Sequence, residues 1–139
     1  MLVVDASVAL AWVFPDEASA ATEAVLRRVG DEGGLVPAVW PLEVANALVG
    51  GERTGRLARA DARRAFALYA GLPLKVCPVG PGLDTGLGQV VALARRHALT
   101  TYDAAYLELA VRTGTPLATL DRRLAAAAVA ERVELAVAA

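Results

Sequence analysis

Short apolar runs alternate along this 139-residue chain with longer helical stretches, and that alternation restricts the possible folds more than any other feature. Leu2-Val3-Val4, Leu35-Val36-Pro37, Leu74-Lys75-Val76-Cys77 and Pro116-Leu117-Ala118-Thr119-Leu120 each read as a strand, with Val133-Glu134-Leu135 as a candidate fifth. Residues 6–13, 41–48, 59–69, 89–97, 104–111 and 121–128 read as helices between them. Strands joined through helices pair in parallel and are covered on both faces. The expected architecture is therefore three-layered α/β/α, with a central parallel sheet of about four to five strands. A hydrophobic fraction of 56%, above the roughly 45–50% of an average domain, suits a sheet buried on both sides.

Glycine and proline punctuate this pattern. Phe14-Pro15-Asp16-Glu17 reads as a turn opening a helix that continues through residues 18–29 to a stop at Gly30. Gly50-Gly51 should close the helix at 41–48, and residues 78–88, rich in proline and glycine, read as a loop. Ala62, Phe66 and Tyr69 share one face of the helix at 59–69 and are expected in the core. That same region could equally form a dimer or partner surface. The helix at 104–111 is apolar on nearly every side, which predicts burial, and it stops at Gly114. No repeat, low-complexity tract or linker interrupts the chain, so residues 1–139 read as a single domain.

Several classes of function are disfavoured. No apolar run approaches the roughly 18–20 residues that span a bilayer, and the N-terminus lacks the basic region and cleavage site of a signal peptide. A single cysteine, Cys77, permits no internal disulfide. The expectation is a soluble, cytoplasmic protein without a membrane partner. The net charge of −1 argues against broad electrostatic capture of nucleic acid. Thirteen of the 14 cations are arginine, Lys75 being the exception. Arginine suits phosphate contacts, although coding bias explains the preference equally well.

Four acids interrupt otherwise apolar text where strands end or helices begin: Asp5, Glu43, Asp103 and Asp121. Sites in open parallel sheets form beyond the carboxyl ends of strands. Asp5 follows the first strand directly, and Asp121 follows the fourth. Glu43 and Asp103 fall in the first turns of flanking helices. Asp5, Asp103 and Asp121 could each serve only as helix caps or dipole partners. Glu43, between Val39-Trp40-Pro41-Leu42 and Val44-Ala45, is harder to explain in that way. If the four converge, some must be protonated or neutralised by cations. Oxygen-only ligands select magnesium or manganese over zinc. Ser7, Asn46 and Thr119 lie close in sequence to these acids, as orienting partners or as ordinary local caps.

Other chemistries lack their residues. His97 is the only histidine and sits at a helix end, beside the negative dipole pole. A zinc site has too few ligands. Neither Ser7 nor Ser19 occupies a nucleophile elbow, and the glycines at 80, 82, 86 and 88 match no phosphate or dinucleotide fingerprint.

Val3-Val4-Asp5-Ala6-Ser7 and Pro41-Leu42-Glu43-Val44-Ala45-Asn46-Ala47-Leu48 resemble the first two motifs of PIN domains. Thr101-Tyr102-Asp103-Ala104-Ala105-Tyr106 and Ala118-Thr119-Leu120-Asp121-Arg122-Arg123-Leu124 resemble the last two. Order, spacing and length agree across essentially the whole chain, and the short form is most similar to VapC-type toxins of toxin–antitoxin pairs. The resemblance implies an endoribonuclease using one or two Mg2+ or Mn2+ ions, with Asp5, Glu43, Asp103 and Asp121 as catalytic metal ligands. It also implies RNA as substrate, a homodimer, and inhibition by a cognate antitoxin protein. A fifth acid found in some members has no counterpart here, leaving the number of ions open. The implied reaction is in-line attack on a phosphodiester by a water whose pKa a cation lowers. Arg95 and Arg122 are candidate phosphate contacts. Two alternatives stand beside it: a carboxylate–magnesium phosphotransfer domain and a degenerate PIN scaffold without catalysis. The first of these normally needs a second acid beside the leading aspartate, where Ala6 and Ser7 stand here.

Overall fold

The computed structural model describes residues 1–137; the expected domain end at 139 lies outside them. Five parallel strands form one sheet: β1 (Leu2–Val4), β2 (Gly34–Pro37), β3 (Leu74–Cys77), β4 (Leu117–Ala118) and β5 (Leu135–Val137). Their order is β3-β2-β1-β4-β5. The helices are α1 (Ala6–Ala11), α2 (Ala20–Glu32), α3 (Trp40–Arg53), α4 (Arg59–Gly71), α5 (Leu83–His97), α6 (Thr101–Thr113) and α7 (Arg122–Ala130), with a 3-10 turn at Pro15–Glu17.

This order locates the site before any side chain is considered. The chain builds outward from β1 through β2 to β3, then returns across the sheet to lay β4 on the other side of β1. The strand order therefore reverses between β1 and β4. The crossovers diverge there to opposite faces, opening a crevice beyond the carboxyl ends of the two strands. Val3 pairs with Leu117 and Val4 with Ala118, and Leu2, Val3 and Val4 are fully buried. Asp5 and Thr119 are the next residues on each strand.

Helix α6 is the principal buried element. Residues 104–110 are all buried, as its all-round apolarity predicts, and it packs against β1, β2, β4, α5 and α7. One of these residues is Glu108, which the sequence reading did not single out. Arg112, one turn on, satisfies it with contacts of 2.7 and 3.3 Å. Among the described residues no helix is long and apolar enough to cross a membrane.

Several boundaries differ from the sequence reading for identifiable reasons. The Pro15 turn does not run into α2. Ser19 restarts the helix, its hydroxyl accepting from Thr22 N–H while Thr22 Oγ1 accepts from Ser19 N–H. Helix α2 passes through Gly30 and stops at Gly33, where φ is +85°. Helix α3 continues through Gly50-Gly51 to Arg53 because Gly51 is needed there for packing: a Cβ on it would lie 2.9 Å from the Phe14 ring. Residues 83–88 belong to α5 and not to a loop, with Gly86 pressed against the Val79 and Gly80 backbone. On α4 the buried residues are Ala62 and Ala65. Of the two readings of this face, Phe66, 56% exposed, departs from core packing, while Tyr69 is half-buried and stacks edge-on against Trp40. The fourth strand shortens to two residues. The fifth begins at Leu135 because the chain leaves α7 through Arg132 at φ +60°.

The neighbouring glycines of α3 should respond oppositely to alanine. A Cβ on Gly50 would meet only open space, so Gly50→Ala should stabilise by about 0.5–1 kcal/mol through helix propensity. Gly51→Ala must displace the buried Phe14 ring and should destabilise by about 1–3 kcal/mol. Urea denaturation of both variants checks this; equal shifts of the same sign would refute it.

Candidate active site

Asp5 leaves the end of β1 with its backbone still paired, its N–H donating to Ala118 O at 2.9 Å. It occupies the cap position of α1, yet its side chain makes no capping bond. Instead its Oδ2 accepts from Ser7 Oγ at 2.6 Å and from Thr119 Oγ1 at 2.7 Å. Those hydroxyls are themselves held: Ser7 Oγ accepts from Leu120 N–H and Thr119 Oγ1 from Asp121 N–H, each at 3.0 Å. The backbone following β4 thus orients two hydroxyls, which orient one carboxylate. Among the described residues, all side-chain hydrogen bonds to Asp5 fall on Oδ2.

The other acids arrive from helix starts. Asp121 caps α7, its Oδ1 accepting from Leu124 N–H at 2.8 Å, so the capping reading holds for this residue. Asp103 does not cap α6; Thr100 does, accepting from Asp103 N–H at 3.1 Å. Glu43 stands in the first turn of α3 and is half-buried. Its Oε1 accepts from Tyr106 Oη at 2.6 Å.

Electrostatics link these groups. Burial pushes the Asp5 carboxyl from the ordinary 3.8 up to about 6; the Ser7 and Thr119 hydrogen bonds oppose this, while Glu43 and Asp103 add repulsion. Asp103 is raised by burial and then by Asp121, against the hydrogen bond from Thr100. Burial and the bond to Glu43 raise Tyr106, with Asp5 adding to both. Repulsion therefore links Asp5 to Glu43 and to Asp103, and Asp103 to Asp121.

Ser7 and Thr119 do contact Asp5, as their positions suggest. Asn46 does not join: it is exposed and makes no side-chain hydrogen bond among the described residues. His97 lies at the end of α5 and shares Glu131 Oε1 with Arg96, at 2.7 and 2.6 Å. Tyr106 is the residue that sequence reasoning passed over. Its signal was present, since it falls one helical turn after Asp103 on a buried face.

The PIN domain family model matches residues 2–130 of this chain. The chain belongs to the PIN domain family. This PIN domain is 36% identical over 124 residues to the Pyrobaculum aerophilum protein named Ribonuclease VapC3, across 89% of this chain and 92% of that one. Its fold is similar to the crystal structure of PAE2754 from the same organism, with a TM-score of 0.71 and 28% identity, over 99% of this chain and 89% of that one. A chain of a toxin–antitoxin complex from Klebsiella pneumoniae superposes with a TM-score of 0.57 at 15% identity, over 87% of each chain, a likeness of fold alone.

The donor chemistry of this PIN domain fits a hard divalent cation. The four acids offer carboxylate oxygens, and one of them is a buried aspartate whose ionisation its surroundings oppose. The spacing of the acids is wider than one coordination sphere: among the described residues no three His, Cys, Asp or Glu side chains stand close enough to hold an ion together. A cleft of about 330 Å3 lies elsewhere, lined by Thr85, Gln89, Arg96, Glu108, Arg112 and Glu131, and includes none of the four acids.

The raised Asp5 carboxyl has a consequence for stability. The folded state holds this proton more tightly than the unfolded chain does. Asp5 therefore contributes stability below about pH 4 that is lost as pH rises through about 6. The difference corresponds to roughly 3 kcal/mol at full ionisation. Asp5→Asn, whose carbonyl can still accept from Ser7 and Thr119, should flatten this profile. Urea melts in EDTA should show the variant more stable than the parent at about pH 8 and similar to it at about pH 4. Parallel pH profiles would contradict the assignment.

Proposed function

We propose that this PIN domain is a metal-dependent endoribonuclease that hydrolyses RNA phosphodiester bonds as the toxin of a type II toxin–antitoxin pair. The observation that carries the reading is the buried Asp5 carboxylate, held by Ser7 and Thr119 and repelled by Glu43 and Asp103, the latter repelled in turn by Asp121. The 36% identity with a protein named as a ribonuclease supports the activity. The toxin–antitoxin complex of similar fold supports a protein antitoxin as partner. A homodimer in the cytoplasm completes the proposal.

Asp5, Glu43, Asp103 and Asp121 would hold the Mg2+ or Mn2+ no more than two at a time, with waters completing the shell, as is usual for magnesium. When bound, the cation supplies the positive charge that lowers the pKa of a water and steadies the departing oxygen. The chain's own contribution is geometric. Ser7 and Thr119 fix Oδ2 of Asp5, and the α7 cap fixes Oδ1 of Asp121. A carboxylate of the group takes the proton of the attacking water. Exposed Arg95 and Arg122 would meet flanking phosphates. Membership of the PIN family sets aside the phosphotransfer reading, leaving a non-catalytic scaffold as the rival.

Total cellular RNA incubated with antitoxin-free protein should yield discrete cuts in Mn2+ or Mg2+ and none in EDTA. Asp5→Asn, purified identically to exclude contaminating nuclease, should cut at least about 100-fold more slowly, a loss typical of removing an electrostatic element of an active site. A folded protein that neither cuts RNA nor binds Mn2+ would instead be the scaffold.

A further inference from the structure

We propose that Tyr106 is a positioning residue that clamps the Glu43 carboxylate in the acidic crevice; this deepens the ribonuclease reading and rests on it. Glu43 is the one acid of the four carried by α3, and the Tyr106 hydroxyl is its only side-chain hydrogen-bond partner among the described residues. The 2.6 Å separation falls in the range of charge-assisted bonds from hydroxyl to carboxylate.

The position of Tyr106 makes that bond effective. Its side chain is fully buried, on the helix most enclosed by the sheet and its neighbours. Asp103 lies one turn earlier on the same helix. A single rigid element therefore places one acid directly and a second through a hydroxyl. Tyr106 engages Oε1, and Oε2 accepts from no side chain among the described residues. The Tyr69 hydroxyl, by contrast, donates to Ala9 O at 2.9 Å, whereas the only backbone contact of the Tyr106 hydroxyl among the described residues is with Ala6. Tyr106 spends its donor on a carboxylate of the candidate site.

The test is a double-mutant cycle read by Mn2+ affinity in calorimetry, with RNA cleavage measured alongside. Tyr106→Phe keeps the ring and the core, and its thermal melt and circular dichroism should match the parent closely. It should weaken Mn2+ binding and lower kcat roughly 10–100-fold, the usual cost of losing a group that orients a ligand, while KM for RNA stays unchanged. In a Glu43→Ala background the same substitution should change Mn2+ affinity by less than about twofold, because the carboxylate it holds has gone. Equal losses in both backgrounds, or a rise in KM with kcat intact, would overturn the clamp. A parent protein that neither cleaves RNA nor binds Mn2+ would overturn the ribonuclease reading itself, an outcome distinct from equal losses in an active parent.

Discussion

The hydrogen bond from Asp5 N–H to Ala118 O carries the pairing of β1 and β4 one residue beyond the strands. Much of the site follows from that bond. It sets Asp5 beside Thr119, so the threonine hydroxyl reaches Oδ2, and it brings Ser7 within reach of Leu120 N–H. Two segments 114 residues apart in sequence thereby share one hydrogen-bonded unit. Parallel pairing is costly to close over such a distance. It is maintained by fully buried neighbours: Val3 and Val4 on one strand, Leu117 and Ala118 on the other.

A buried carboxylate facing two others is destabilising in isolation. The protein tolerates it because the opposing elements are individually well satisfied. Asp121 stabilises α7 as its cap, Asp103 occupies the favourable end of α6, and Glu43 that of α3. Three helix N-termini thus direct positive dipole ends toward a cluster of negative charge. Strain that remains concentrates on Asp5, the most buried of the four. Such concentration is characteristic of functional sites.

The sheet and the acids were readable because each leaves a local mark. Three-residue apolar runs such as Leu2-Val3-Val4 announce buried strands, and an aspartate directly after one is conspicuous. Glu108 is an acid in equally apolar text, but it stands mid-helix and belongs to an ion pair with Arg112. The i+4 arginine was the distinguishing clue. Glycines were the poorest guide. Gly30, Gly50, Gly51 and Gly86 all lie inside helices; a Cβ would meet open space at Gly30 and Gly50 but a neighbour at Gly51 and Gly86, and Phe14 is 37 residues from Gly51 in sequence. Periodicity left Phe66 open between core and surface: α4 turns Ala62 and Ala65 inward and leaves Phe66 exposed.

By itself, the sequence determined the α/β class and the approximate strand positions, and it marked four acids as candidates. Those depend on short-range periodicity and on residue types that sit badly in their immediate surroundings. Tertiary structure alone decided that β4 lies against β1, that Thr119 and Ser7 converge on a single oxygen of Asp5, and that Tyr106 meets Glu43 across 63 residues. These are contacts between distant segments. They follow from strand order and helix packing, which the collective burial of the core selects and no local stretch of sequence encodes.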